Sequence, residues 1–217
     1  MRIANILQVS LWKSLCFNLK QFGAKGLKMP VLISRKCKLK VKGKVKLSDY
    51  RFNTVVIGFG GSEGIIENRY SYFAVAKDAQ VVFKGKAGIS AGNSIRVDKG
   101  TLEIGQRFST NKNCFIACSK GVTIGDDVTL GWNVNIRDND GHTIIDGATG
   151  QPSESAPVSI GSHVWLCAYT DVLKGSVVPD DCVVAYRSLV TKAFETKNAI
   201  IGGAPAKVLK ENIRWEY

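Results

Sequence analysis

The sequence predicts a mainly β chain wound as a coil with three flat walls, and three observations carry that reading. The first is a six-residue rhythm: Ile160, Leu166, Val172, Val178, Val184 and Val190 are aliphatics at consecutive steps of six. Ile, Leu and Val fill 54 of 217 positions, so composition alone yields such a run roughly twice in ten thousand trials. The second is a companion series of slimmer residues two places earlier, Val158, Val164, Thr170, Ser176, Cys182 and Ser188. The third is recurrence upstream, at Ile124, Leu130 and Ile136 and again at Ile104, Thr110 and Ile116. Two strand residues two apart point the same way, so each pair faces a common interior. A short strand plus a corner every six residues makes a wall, and three walls close a prism of about eighteen residues per turn. Gly105, Gly125, Gly131 and Gly161 follow the aliphatics, which suits a corner with positive φ or crowded backbone.

The elements follow in order. Residues 1–29 form a basic amphipathic arm. Ile3, Ile6, Leu7, Leu11, Leu15, Phe17, Leu19 and Phe22 recur at helical steps over 3–22, and Gly23 and Gly26 end the pattern. Residues 30–203 form the coil. Within it, Leu39, Val41, Gly43, Val45 and Leu47 alternate with Lys40, Lys42, Lys44 and Lys46, as in a strand with one wet face. Residues 50–105 read as β of uncertain register. A polar loop over 137–157 interrupts the repeat. Residues 204–217 form a helical tail, with Pro205 in its first turn and its end near Trp215.

Composition narrows the classes. No stretch approaches the ~20 apolar residues of a membrane span. Residues 1–48 hold twelve Lys or Arg and no acid, so the net charge of +12 lies in that segment. Such an arm suits an anionic membrane surface, or a helix that packs its stripe on the prism or on another subunit. Nucleic acid is not expected, because no recognised module accompanies the charge. Six scattered cysteines and two histidines support neither a disulfide framework nor a metal site. The N-terminus lacks a small-residue cleavage site, and a cytoplasmic location is expected. The Gly58–Gly64 run reads as a turn cluster rather than a dinucleotide fingerprint, since no helix pattern follows.

Chemistry is expected in the 137–157 loop. It carries His142, preceded by Asp138 and Asp140. Imidazole can take a proton from a hydroxyl near neutral pH, with a carboxylate holding its other ring nitrogen. A solvent-exposed loop histidine is the competing reading. Cys167 reads as a packed thiol and His163 as a structural or cleft residue.

The repeat, together with Ile136-Arg-Asp-Asn-Asp-Gly-His142, resembles the bacterial hexapeptide-repeat acetyltransferases, in particular sugar O-acetyltransferases of the galactoside and maltose type. The resemblance covers roughly residues 30–210 as repeat register. It implies a left-handed parallel β-helix, acetyl-CoA as donor, a sugar or polysaccharide-precursor hydroxyl as acceptor, and a homotrimer with sites between subunits. His142 would be the general base and Asp138 or Asp140 its orienting partner. Asn113 and Trp132 would meet the acceptor. Trp165, within Val164-Trp165-Leu166, would lie beside the thioester. The amides of Ala168 and Tyr186 would face the acyl carbonyl and the pantetheine arm, and Thr191, Lys192, Lys207 and Lys210 the anionic nucleotide end. No metal is implied; the γ-class carbonic anhydrases that share the prism need a third histidine. Cys167 and the Tyr186-Arg187 pair stand where the family has smaller residues. N-acetylation of an amino sugar nucleotide, and a non-catalytic scaffold, remain alternative readings.

Overall fold

A computed structural model describes residues 7–61 and 70–216. Arg2, Ile3, Ile6 and the end of the Gly58–Gly64 run lie outside the described residues. The six-residue rhythm becomes a three-walled parallel β-helix. Its first coil is β1 (Val31–Ile33), β2 (Cys37–Val41) and β3 (Lys44–Leu47), one strand per wall. Among the described residues the three sheets hold nine, seven and six strands; we call them faces 1, 2 and 3 after β1, β2 and β3.

Strand register explains the rhythm. On face 3, Ile104, Ile124, Ile160 and Val178 stack directly over one another. On face 1 the column is Leu130, Leu166, Val184 and Ile201. On face 2 it is Ile116, Ile136, Val172 and Val190. None of these twelve side chains is more than 1% exposed, and each contributes about 1.5–3 kcal/mol by leaving water. The slim partners at 158, 164, 170, 176, 182 and 188 are buried beside them.

The corners obey a second rule. Three residues after seven of the aliphatics the chain turns left-handed, at Asp127, Asn133, His163, Tyr169, Gly175, Asp181 and Arg187. The glycines directly after the aliphatics serve close approach instead. A Cβ on Gly125 would sit 2.6 Å from the backbone of Gly161 in the next coil.

Three expectations need correction. The N-terminal helix, α1, spans Leu11–Phe22; residues 7–10 of the expected stripe are not helical, and Val9 bridges to Ser34 as extended chain. The alternating run from Leu39 to Leu47 is not one strand. It breaks at Lys42-Gly43, where the chain turns from face 2 to face 3. The expected C-terminal helix is a strand: β21 (Ile200–Gly203) reverses through Ala204-Pro205 into the antiparallel β22 (Ala206–Lys210). Gly203 takes φ 99°, which turns the chain back, and Ala206 is buried against β21 while Lys207 stays outside. Pro205 therefore sits in a hairpin turn and not in a helix start.

Candidate active site

The loop leaves face 2 at the end of β14 (Asn135–Arg137) and returns at β15 (Val158–Ile160) on face 3. Its root is Asp138, which is fully buried. The amides of Ser119, Lys120 and Gly121, one coil back, donate to its carboxylate at 2.6–2.9 Å. Asn139 Nδ2 adds a bond at 3.0 Å. Buried amides need acceptors, so this carboxylate is a structural anchor. Asp140 serves the other side. Lys174 Nζ donates to its Oδ2 at 2.5 Å and Ser153 Oγ at 2.9 Å. The Lys174 ammonium, and then Ser153, hold its carboxyl below the usual carboxylate range.

The expected pairing of His142 with Asp138 or Asp140 is thus not formed. Both carboxylates have other partners, three backbone amides in one case and an ammonium in the other. His142 is exposed and makes no hydrogen bond among the described residues. It stands where the chain turns sharply: the Gly141 amide donates to Asn139 Oδ1 at 3.0 Å, and Gly141 takes φ 79°.

His142 lines a cavity of about 370 Å³ over face 2. Its floor comes from β8 (Ser94–Val97), β11 (Phe115–Cys118) and β14, with Arg96, Ala117 and Arg137 side by side in register. Two strand spacings put the arginines roughly 10 Å apart, and the small Ala117 leaves room between them. Arg96 pairs with Asp98 at 2.8 Å. Arg137 lies over the Phe115 ring, 5.5 Å from its centroid, and bonds to Asn135 Oδ1. Ser119, Asn139, Thr143, Ser153 and Ser155 complete the wall. A second cavity of about 430 Å³ shares Arg137, Asn139 and Asp140 and continues the cleft toward Leu189. An imidazole at the rim of a pocket lined with hydroxyls and guanidinium groups can bind a polyhydroxylated ligand and take its proton.

Arg96, Arg137 and Lys174 were not foreseen. A signal existed for two of them: in Ile95-Arg96, Ile116-Ala117 and Ile136-Arg137 the residue after each buried aliphatic points outward from the same face. Lys174 carries no such mark.

The other expected site residues lie elsewhere. Asn113, Trp132, Ala168 and Tyr186 occupy the corner between faces 1 and 2, and Trp165 projects outward from face 1. None lines the His142 cavity. Asn113 takes the left-handed corner conformation, φ 62°, which asparagine accepts readily. Among the described residues the amides of Ala168 and Tyr186 donate to no backbone acceptor, whereas those of their neighbours Cys167, Tyr169, Ala185 and Arg187 do. Tyr186 meets Tyr169 edge-on at 5.5 Å, and Arg187 lies over both rings. Thr191 and Lys192 are exposed after face 2, and Lys207 and Lys210 are exposed on β22. Burial pushes the Cys167 thiol up, which favours the inert form. Among the described residues no cluster of three or more metal-ligating side chains occurs.

No family model matches the chain. Galactoside O-acetyltransferase of Escherichia coli K12 is 31% identical over 120 residues, 51% of this chain and 54% of that protein. The putative lipopolysaccharide biosynthesis O-acetyl transferase WbbJ of the same strain is 30% identical over 134 residues, 56% of this chain and 68% of that protein. The chain belongs to the hexapeptide-repeat acetyltransferases. The left-handed winding expected from the resemblance goes with that membership. Among solved structures, galactoside acetyltransferase in complex with coenzyme A aligns at a TM-score of 0.48 and 28% identity, covering 54% of this chain and 58% of that one. The polysialic acid specific acetyltransferase NeuO aligns at 0.48 and 21%, covering 85% and 90%. The chain spans about half the length of galactoside O-acetyltransferase.

Proposed function

We propose that this hexapeptide-repeat acetyltransferase moves an acetyl group from acetyl-CoA to a sugar hydroxyl of a surface polysaccharide or its precursor. One observation supports this most: His142, which has no hydrogen-bond partner among the described residues, stands at the rim of a polar cavity on a β-helix of this family. In this reading His142 takes the hydroxyl proton as the oxygen attacks the thioester carbonyl. The tetrahedral oxyanion is met by backbone amides, for which Ala168 and Tyr186 are suited because they are unspent. Collapse expels the CoA sulfur, and the proton on His142 passes to it, so acid and base balance without an acyl-enzyme. Asp138 and Asp140 act as positioning residues: they hold the loop that carries the base.

The cavity opens on face 2, while Trp165 and the Ala168 and Tyr186 amides belong to face 1 and its corner. A homotrimer with each site between two copies would unite the two groups, and Lys192, Lys207 and Lys210 would then meet the phosphates of CoA. We place the reaction in the cytoplasm, on an acceptor carried at the inner face of a membrane, where the basic N-terminal arm fits. No helix among the described residues is long and apolar enough to cross a membrane. The test is acetyl transfer from acetyl-CoA to glycan fragments, read as release of CoA thiol together with an ester on the product. An amide product, or no thiol release with any acceptor, would refute the reading.

A further inference from the structure

The helix α1 buries Phe17 in the core of the prism and packs Phe22 against it, yet it leaves much of its apolar surface outside. Ser14, Phe17 and Asn18 face the prism and are buried. Asn18 acts as a stand-in for a neighbouring strand: its Nδ2 donates to Val31 O at 2.7 Å, and its Oδ1 accepts from Val31 N at 3.1 Å. Ser14 Oγ accepts from Ile33 N at 2.9 Å. β1 is the outermost strand of face 1, and its edge groups need such partners. Ser14 and Asn18 therefore share the underside of the helix with Phe17.

These bonds run in the hydrogen-bonding direction of the sheet, which is the long axis of the prism. The far side of α1 accordingly points away from the prism end. At 100° per residue, Trp12 and Leu19 fall about 165° and about 145° from the mean direction of Ser14, Phe17 and Asn18, whereas Leu11 falls on the flank beside Asn18. Trp12 is 76% exposed, Leu11 71% and Leu19 41%; Leu7 and Leu27 flank them, also exposed. A stripe of this kind marks an interaction surface.

Charge selects the occupant. The first 48 residues carry no acid. Lys13 donates to the carbonyls of Ser34, Arg35 and Cys37, which fixes its ammonium at this end of the prism. Lys28, Arg35 and Lys42 are exposed around the same end. A second copy packed end to end would bring cations against cations, whereas an anionic lipid surface accepts both the stripe and the charge. We infer that α1 docks the protein on an anionic leaflet, with Trp12 and Leu19 seated among the lipids and the prism axis rising from the surface. Face 2 crosses four strand spacings from β2 to β14, and α1 adds its own thickness of about 10 Å beneath, so the His142 loop works roughly 30 Å above the lipid. On the acetyl-transfer reading, from which this last step takes its meaning, the acceptor is a sugar unit set well away from the lipid-attached end of a chain.

The test uses the full chain and co-sedimentation with vesicles of phosphatidylcholine alone or with about 30 mol% phosphatidylglycerol. Binding should be at least ~10-fold stronger to the anionic vesicles and should weaken with salt. The variant Trp12→Ser/Leu19→Ser, altered only at exposed positions, should lose about 10-fold or more while melting at the wild-type temperature. A polarity-sensitive dye on Cys16, an exposed thiol of the same helix, should shift to the blue on anionic vesicles. Equal binding to both vesicle types, full binding by the double variant, or disruption by that variant of an assembly formed without lipid would overturn the proposal. Acetyl transfer to a water-soluble sugar should survive in the double variant. Loss of lipid docking and failure of the acetyl-transfer reading are thereby separate results.

Discussion

The His142 cavity and the aromatic corner at Tyr169, Tyr186 and Arg187 are built by opposite means. The cavity rests on an insertion, a loop tied at its root by Asp138 and at its flank by Lys174. The corner belongs to the repeat itself, where each coil makes the same left-handed turn and leaves one amide without a backbone acceptor. A loop can be replaced without disturbing the column beneath it; a corner amide cannot be moved without bending the coil. On the proposed reading the difference is a division of labour, with the inserted loop choosing the acceptor and supplying the base and the repeated corner offering fixed donors to the thioester.

The sharpest way to break that division is His142→Ala. Turnover should fall ~10²–10⁴-fold with coenzyme A affinity unchanged, measured by steady-state kinetics and calorimetry; a parallel loss of coenzyme A binding would mean that the loop also forms the donor site. Asp138→Ala should cost stability instead, about 3 kcal/mol in urea unfolding, because three amides lose one buried acceptor. Its turnover should fall too, while Asp140→Asn leaves the unfolding midpoint in place.

Arg137→Ala should raise the acceptor KM about 10-fold with kcat and donor affinity near wild type, since the guanidinium lines both cavities over face 2 and none of the donor edge. The smallest effect concerns acid. Lys174, and after it Ser153, lowers the Asp140 pKa in the folded chain, so its contribution is complete above the ordinary carboxylate value and is lost as pH falls through the lowered one. Protection of residues 139–155 from hydrogen exchange, taken relative to the intrinsic rate at each pH, should therefore hold at pH 5 and fall only below about pH 4. Lys174→Met should bring that onset to higher pH.

Much of the fold was legible because its logic is local and periodic. Ile160 to Val190 could be assigned to three walls from spacing alone, since six residues span one strand and one corner. The site was legible only where the period broke, at the loop with His142. What stayed hidden involves partners one coil apart. Asp138 sits beside His142 in sequence, yet its amides come from Ser119 to Gly121, so a local reading pairs it with the wrong group. α1 misleads for a related reason: its apolar stripe suggests a buried face, but the open edge of β1 asks for Ser14 and Asn18. At the C-terminus, Pro205 suits a helix start and a hairpin turn equally, and the backbone of β21 decides between them.

The division between cavity and corner can be tested by mixing two damaged chains. His142→Ala keeps the corner and loses the base; Trp165→Ala/Lys207→Ala keeps the base and weakens the donor edge. Unfolded together and refolded, they should recover acetyl transfer well above the sum of either refolded alone, because mixed assemblies contain sites with one intact half from each copy. Recovery no greater than that sum would contradict the account.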